Sequence, residues 1–257
     1  MSERTEVFRV TGTPRLVLRV PAGEVRLVGG RPGEVVVHCR GDQRHLSRVV
    51  IDRDGDTISV GPEGLGFGHW PPLDLEVAVG TAPEVRARLG SVDLLVRTPV
   101  RSLEMAGASG DVKVESVEET LLVRLASGDL EAGSVGGRAD VGTASGRVRV
   151  QSVAGGVDVK AASGDVDLGS VGGDCTVRTA SGRVVVDRFD GSRFLAKTVS
   201  GDVRVGVPSG RRYSLSLQTL SGDVRTDFPV SGEGGTAPAR IAITSVSGDI
   251  RITAAGD

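Results

Sequence analysis

The sequence predicts an all-β chain: a parallel β-solenoid of 18 residues per coil, capped by an irregular N-terminal β-region. Three observations predict it. Ser-Gly recurs at Ser109, Ser127, Ser145, Ser163 and Ser181, each 18 residues after the last, and a fixed short period marks a repeat architecture. A second series, Ser-Val at Ser116, Ser134, Ser152 and Ser170, keeps the same interval. Glycine supplies 38 of the 257 residues while Phe, Trp and Tyr together supply seven, so the core must be thin and built from Val, Leu and Ala. With 39% apolar and 25% charged residues and no Gly-X-Y period, disorder and collagen are excluded.

Residues 1–90 lack the period but read as short strands around Phe8-Arg9-Val10, Leu16-Val17-Leu18, Val25-Arg26-Leu27, Val35-Val36-Val37 and Leu75-Glu76-Val77. Turn signals at Ala22-Gly23-Glu24, Pro32-Gly33-Glu34 and Asp54-Gly55-Asp56 separate them, 61–72 is the chief irregular loop, and no 3.6-residue pattern is present. This region is expected to shield the first rung, because an open rung invites further pairing.

From residue 91 the coils begin, regular over 91–199 and looser over 200–257. Each unit alternates apolar and polar residues on both sides of a central Gly, the strand period. One stacked column is Leu94, Val112, Leu130, Val148, Val166, Val184 and Val203, and another is Val123, Val141, Val159 and Val177. A third, Ala126, Ala144, Ala162 and Ala180, is expected inside with them. Gly110, Gly128, Gly146, Gly164 and Gly182 mark one bend and Gly137, Gly155, Gly173 and Gly191 the other, where positive φ or close backbone approach is needed. Rungs should lie about 4.8 Å apart. Later Ser-Gly turns at Ser200, Ser221 and Ser247 show stretched intervals, with Phe189, Phe194, Tyr213 and Phe228 filling wider coils and a surface loop over 231–238.

A formal charge of −2 excludes a global field for nucleic acid. No apolar run approaches a membrane span, and the opening segment, with Glu3, Arg4, Glu6 and Arg9, reads as neither signal nor transit peptide. The expected location is cytoplasmic, with envelope association only through a partner. Of the basic residues only Lys113, Lys160 and Lys197 are lysine, a skew read as coding bias. Cys39 and Cys175 are read as buried free thiols.

The column Asp129, Arg147, Asp165, Arg183 and Asp202, and its neighbour Lys113, Glu131, Arg149 and Asp167, alternate in sign. They are expected to hold register on a solvated face, or to offer a flat polar surface to a glycan or partner protein. No metal or cofactor is expected. Arg147 and Arg183 stand where calcium would need acids, and His38, Cys39, His45 and His69 form no ligand set. The histidines all precede residue 71 and no serine sits in a nucleophile motif, so no catalytic constellation is named. Phe67, His69 and Trp70 form either a flap over the first coil or a small contact tip.

The Ser-Gly-Asp-Val turns, the Thr143-Ala144-Ser145-Gly146 and Thr179-Ala180-Ser181-Gly182 junctions, Leu16-x-Leu18 and Ala22-Gly23-x-Val25-x-Leu27 resemble the bacterial putative-adhesin family of β-strand-repeat proteins, domain of unknown function 4097. The resemblance covers nearly the whole chain and implies a β-solenoid with no established enzymatic activity. The expected function is a non-enzymatic binding or scaffolding module for a protein or glycan, with an envelope or adhesion role. A self-assembling, bactofilin-like scaffold is the alternative and a β-helical polysaccharide-active enzyme the third reading.

Overall fold

The computed structural model describes residues 2–63, 71–227 and 239–255. Phe67, His69, Trp70, Phe228 and the loop expected over 231–238 therefore lie outside the described residues. The chain divides into two compact units, Met1–Gly133 and Ser134–Asp257. Among the described residues no helix is long and apolar enough to cross a membrane; one helical turn, α1 (Gln43–Leu46), is capped by the Asp42 carboxylate.

In the first unit the strands are β1 (Ser2–Arg9), β2 (Arg15–Gly29), β3 (Glu34–Gly41), β4 (Val49–Asp54), β5 (Thr57–Pro62), β6 (Leu73–Val79), β7 (Glu84–Val96), β8 (Val100–Ser109) and β9 (Val112–Ser127). Strand β2 is a full coil bent at Gly23. There φ is +122° and an added Cβ would stand 2.2 Å from the Leu73 carbonyl oxygen, so only glycine fits. Leu16, Leu18 and Val20 are buried before the bend and Val25 and Leu27 after it. Parallel pairing joins β2 to β7 from Arg15↔Glu84 to Leu27↔Val96, and β7 to β8 and β9 in turn.

On its other side β2 pairs with β5 and β6. The coil earliest in sequence thus lies between two later ones. Residue 90, the expected border between cap and coils, falls inside β7, and parallel rungs reach back to Arg15. The same region also holds antiparallel pairings: β1 on β3, β3 on β6, and β4 on β5.

Strand β10 (Leu130–Val135) crosses the border between the units. The second unit then alternates two ladders. One contains β11 (Arg138–Ser145), β13 (Val157–Ser163), β15 (Cys175–Ser181) and β17 (Arg193–Ser200). The other contains β12 (Val148–Val153), β14 (Val166–Val171), β16 (Val184–Phe189) and β18 (Val203–Val207). All pairings are parallel and in register, as in Val141↔Val159↔Val177 and Val148↔Val166↔Val184. Both valine columns are buried. Phe189 and Phe194, fully buried with ring centroids 5.4 Å apart in an edge-to-face contact, fill the wider coil as expected.

The remaining strands are β19 (Tyr213–Ser221), β20 (Val224–Thr226), β21 (Ala239–Ser247) and β22 (Ile250–Ala254). Here stacking order again departs from sequence order. Strand β21 pairs with both β17 and β19, and β22 with both β18 and β20, so the last coil of the chain sits inside and the coil before it forms the edge.

The Ser-Gly bends carry positive φ throughout, from +117° at Gly128 to +127° at Gly146 among the regular coils. An added Cβ at Gly164 or Gly182 would lie 2.0 or 2.1 Å from the glycine oxygen one coil below, which fixes glycine there twice over. The second glycine series is set by closeness alone, Gly191 approaching the Gly173 oxygen within 2.0 Å of an ideal Cβ.

One expectation is overturned. Ala126, Ala144, Ala162 and Ala180 face solvent. Alternation continues past Val141 to a buried Thr143, so Ala144 points outward and the chain bends only after Ser145. The inner place belongs to Thr143, Ala161, Thr179, Thr198 and Ser245, with the Thr143 and Thr179 hydroxyls donating to the Ser145 and Ser181 carbonyls at 3.0 and 2.9 Å.

Candidate functional site

The strand pleat decides what the outer faces present, since every second residue leaves the core and its equivalents stack rung upon rung. In the second unit that stacking sets Lys160, Arg178 and Lys197 in register on β13, β15 and β17. Three cations in successive rungs repel one another, because like charges directly opposite destabilise a sheet. The Asp158 carboxylate lies 4.0 Å from the Lys160 ammonium and 3.8 Å from Arg178. No ion pair reaches Lys197 among the described residues, and Thr244 is its neighbour on β21.

Beside this column runs an exposed apolar one. The register Ser163↔Ser181↔Ser200↔Ser247↔Ser221 places Ala162, Ala180, Val199, Val246 and Leu220 in line just before the serines. Val199 is 56% exposed and Leu220 85%. Together the columns border an open groove of about 520 Å³, lined by Lys160, Ala162, Arg178, Ala180, Lys197 and Val199. Residues of this groove were missed in the sequence because the lysines were read as composition, yet Lys160, Arg178 and Lys197 follow the repeat interval closely.

A groove of similar size, about 480 Å³, lies on the first unit among Arg15, Thr57, Glu84, Arg86, Ser102 and Glu104. Its charges are matched across rungs: Arg15 to Glu84 at 3.0 Å and Arg86 to Glu104 at 2.9 Å.

The charge ladder alternates in sign over the rungs from Asp129 to Asp202. Arg183 pairs with Asp165 at 3.7 Å and Arg149 with Asp167 at 3.8 Å. Toward the ends, however, Asp follows Asp: Asp93, Asp111 and Asp129 in the first unit, then Asp202, Asp249 and Asp223 in the second. A different bond organises the column. The carboxylates of Asp93, Asp111, Asp165, Asp202 and Asp249 accept the backbone N–H of the next rung, as Asp93 does from Asp111 (2.8 Å), Asp165 from Arg183 (2.9 Å) and Asp249 from Asp223 (2.9 Å). These aspartates are turn caps first and charges second. Among the described residues no group of His, Cys, Asp and Glu is arranged to hold a metal ion.

Cys39 and Cys175 are free and buried. Burial raises their thiols to about 11 and about 12 respectively, which keeps both in the unreactive protonated form at neutral pH. His38, on the opposite face of β3 from Cys39, has its Nδ1 2.7 Å from the Thr5 hydroxyl, and His45 lies in α1, so these groups do not converge.

A family model described as Toastrack DUF4097 matches residues 81–253, the stretch that carries the stacked coils and Ser-Gly bends. The chain belongs to the Toastrack DUF4097 family. No curated protein matches this Toastrack chain. Similar solved structures include a putative adhesin from Bacteroides fragilis, at 9% identity over 98% of this chain and 97% of that one, TM-score 0.47. Another, a putative adhesin from Parabacteroides distasonis, shows 12% identity over 97% of both chains, TM-score 0.47. A putative lipid binding protein from the same species gives 11% identity over 99% and 95%, TM-score 0.40.

Proposed function

We propose that this Toastrack chain is a non-enzymatic binding module, and that its contact surface is the cationic and apolar strip of the second unit, occupied by an acidic glycan. One observation carries the reading: Lys160, Arg178 and Lys197 stand in register and, among the described residues, a single carboxylate, Asp158, lies within 4.0 Å of two of them. An anionic polymer running across the rungs relieves that repulsion. The adjoining alanines give flat apolar contact for sugar-ring faces, and the exposed Ser163, Ser181 and Ser200 hydroxyls add hydrogen-bonding groups at the same spacing. The strip is open and periodic, which suits an extended ligand; catalysis instead needs an acid, a base and a nucleophile converging on one point.

The test is binding of polygalacturonate and dextran sulfate, with neutral dextran as control, to the full chain and to a Lys160→Glu/Arg178→Glu/Lys197→Glu variant. Salt-sensitive binding of the acidic polymers, lost in the variant, supports the proposal. Equal binding of neutral dextran, or capture only by anionic vesicles, overturns it.

A further inference from the structure

Strand β19 forms the outermost described rung of its ladder. One flank pairs with β21 from Tyr213↔Ala239 to Ser221↔Ser247, and among the described residues no strand pairs with the other. Edge strands are ordinarily blunted by charge, proline or a bulge. The first unit follows that rule: β1 turns Arg4 and Glu6 toward its half-buried side, where they pair with each other, and Arg4 also donates to the Val49 carbonyl at 2.7 Å. Strand β4 ends in Asp52, Arg53 and Asp54. Strand β19, by contrast, reads Tyr-Ser-Leu-Ser-Leu-Gln-Thr-Leu-Ser with no charged residue, and Tyr213, Leu215, Leu217 and Thr219 are only half buried along its inner side.

We infer that the β19 edge pairs with the β19 edge of a second copy of this chain, antiparallel about a two-fold axis through Leu217, giving a closed dimer. Charge placement selects this occupant. Arg211 and Arg212 precede the strand and Asp223 follows it. Antiparallel pairing centred on Leu217 sets Leu217 opposite Leu217 and Leu215 opposite Thr219, and brings Arg211, just before the strand in each copy, to the end of the edge where Asp223 of the other follows the Gly222 bend. The inner faces stay on one side because the register preserves the two-residue period. Parallel pairing would oppose arginine to arginine and aspartate to aspartate. Head-to-tail stacking would require an apolar edge to meet the charged β1 or β4 edge. An isologous contact of this kind closes on itself and does not propagate into a filament.

The experiment is light scattering coupled to size exclusion on the full chain over a wide concentration range, with circular dichroism on each variant. The expected mass is twice that of the chain. Leu217→Lys and Arg211→Asp should each halve it while the spectrum stays that of a folded β protein, and Arg211→Asp/Asp223→Arg should restore the dimer by exchanging the partners. A monomer at the highest concentration, growth beyond two copies, or a charge-exchanged variant that stays monomeric while folded would each overturn the inference.

Discussion

The two outer grooves are made from the same strand geometry and reach similar size, yet their charges follow opposite rules. In the groove of the first unit Arg15 and Arg86 each find a glutamate one rung away, at 3.0 and 2.9 Å. On the second, lysine, arginine and lysine follow one another through β13, β15 and β17. Stacked rungs make register-level charge pairing easy to achieve, as the first unit demonstrates. The second groove combines like charges in line with an adjoining exposed apolar column, and that difference is what nominates it over the first as the contact surface proposed above.

The largest effect is expected beneath that groove. Val159 is fully buried in the column Val141↔Val159↔Val177, so Val159→Asp should destabilise by at least about 3 kcal/mol through an unpaired buried charge. Urea denaturation followed by circular dichroism measures it, and a variant as stable as the parent would break the assignment of faces.

A glycine pair sharpens the contrast between crowded bends and open turns. Gly164→Ala combines φ of +122° with a Cβ 2.0 Å from a backbone oxygen and should cost about 2–3 kcal/mol. Gly55→Ala, at φ of +59° in the β4–β5 turn with nothing within 4 Å, should cost only about 1 kcal/mol. Equal losses in the same denaturation assay would mean that stacking adds nothing to the dihedral requirement.

Each unit also holds one buried thiol, and the pH response should separate them. Their folded pKa values lie above the ordinary thiol value, so the folded form retains protons that the unfolded form sheds. Their contribution to stability is therefore complete below about pH 9 and declines as pH rises, through about 11 for Cys39 and about 12 for Cys175. Neither should react with a thiol reagent at neutral pH until denaturant is added. Rapid labelling of Cys175 in the native chain would contradict its burial.

Much of this architecture was legible as period and alternation. The columns through Val159 and Val166 are buried as read, and the Ser-Gly bends carry the positive φ that glycine implied. The order of rungs at the ends was not legible. A repeat read along the chain cannot reveal that β2 lies between β5 and β7, or β21 between β17 and β19, because those partners are set by stacking and lie far apart in sequence. The alanine column was misplaced because Ala126, Ala144, Ala162 and Ala180 follow the buried valines by three residues, an odd spacing that sends them to the opposite face. Lys160, Arg178 and Lys197 were visible as letters, but their meaning depends on the neighbour above and below, and a stretched 19-residue interval at Lys197 hid the alignment.

The smallest expected energy change makes the most direct test. Lys197→Glu turns one member of the cation stack into a partner for Arg178, with Thr244 on its far side, and should raise stability by about 0.2–1 kcal/mol. Glu104→Arg on the first unit should lower it by about the same amount by breaking the pair with Arg86. Thermal unfolding and polygalacturonate binding of Lys197→Glu, measured side by side, test whether the stack is kept for a ligand. Lys197→Glu should give a slightly more stable protein that binds the acidic polymer more weakly. Unchanged binding, or a loss of stability, would contradict that role.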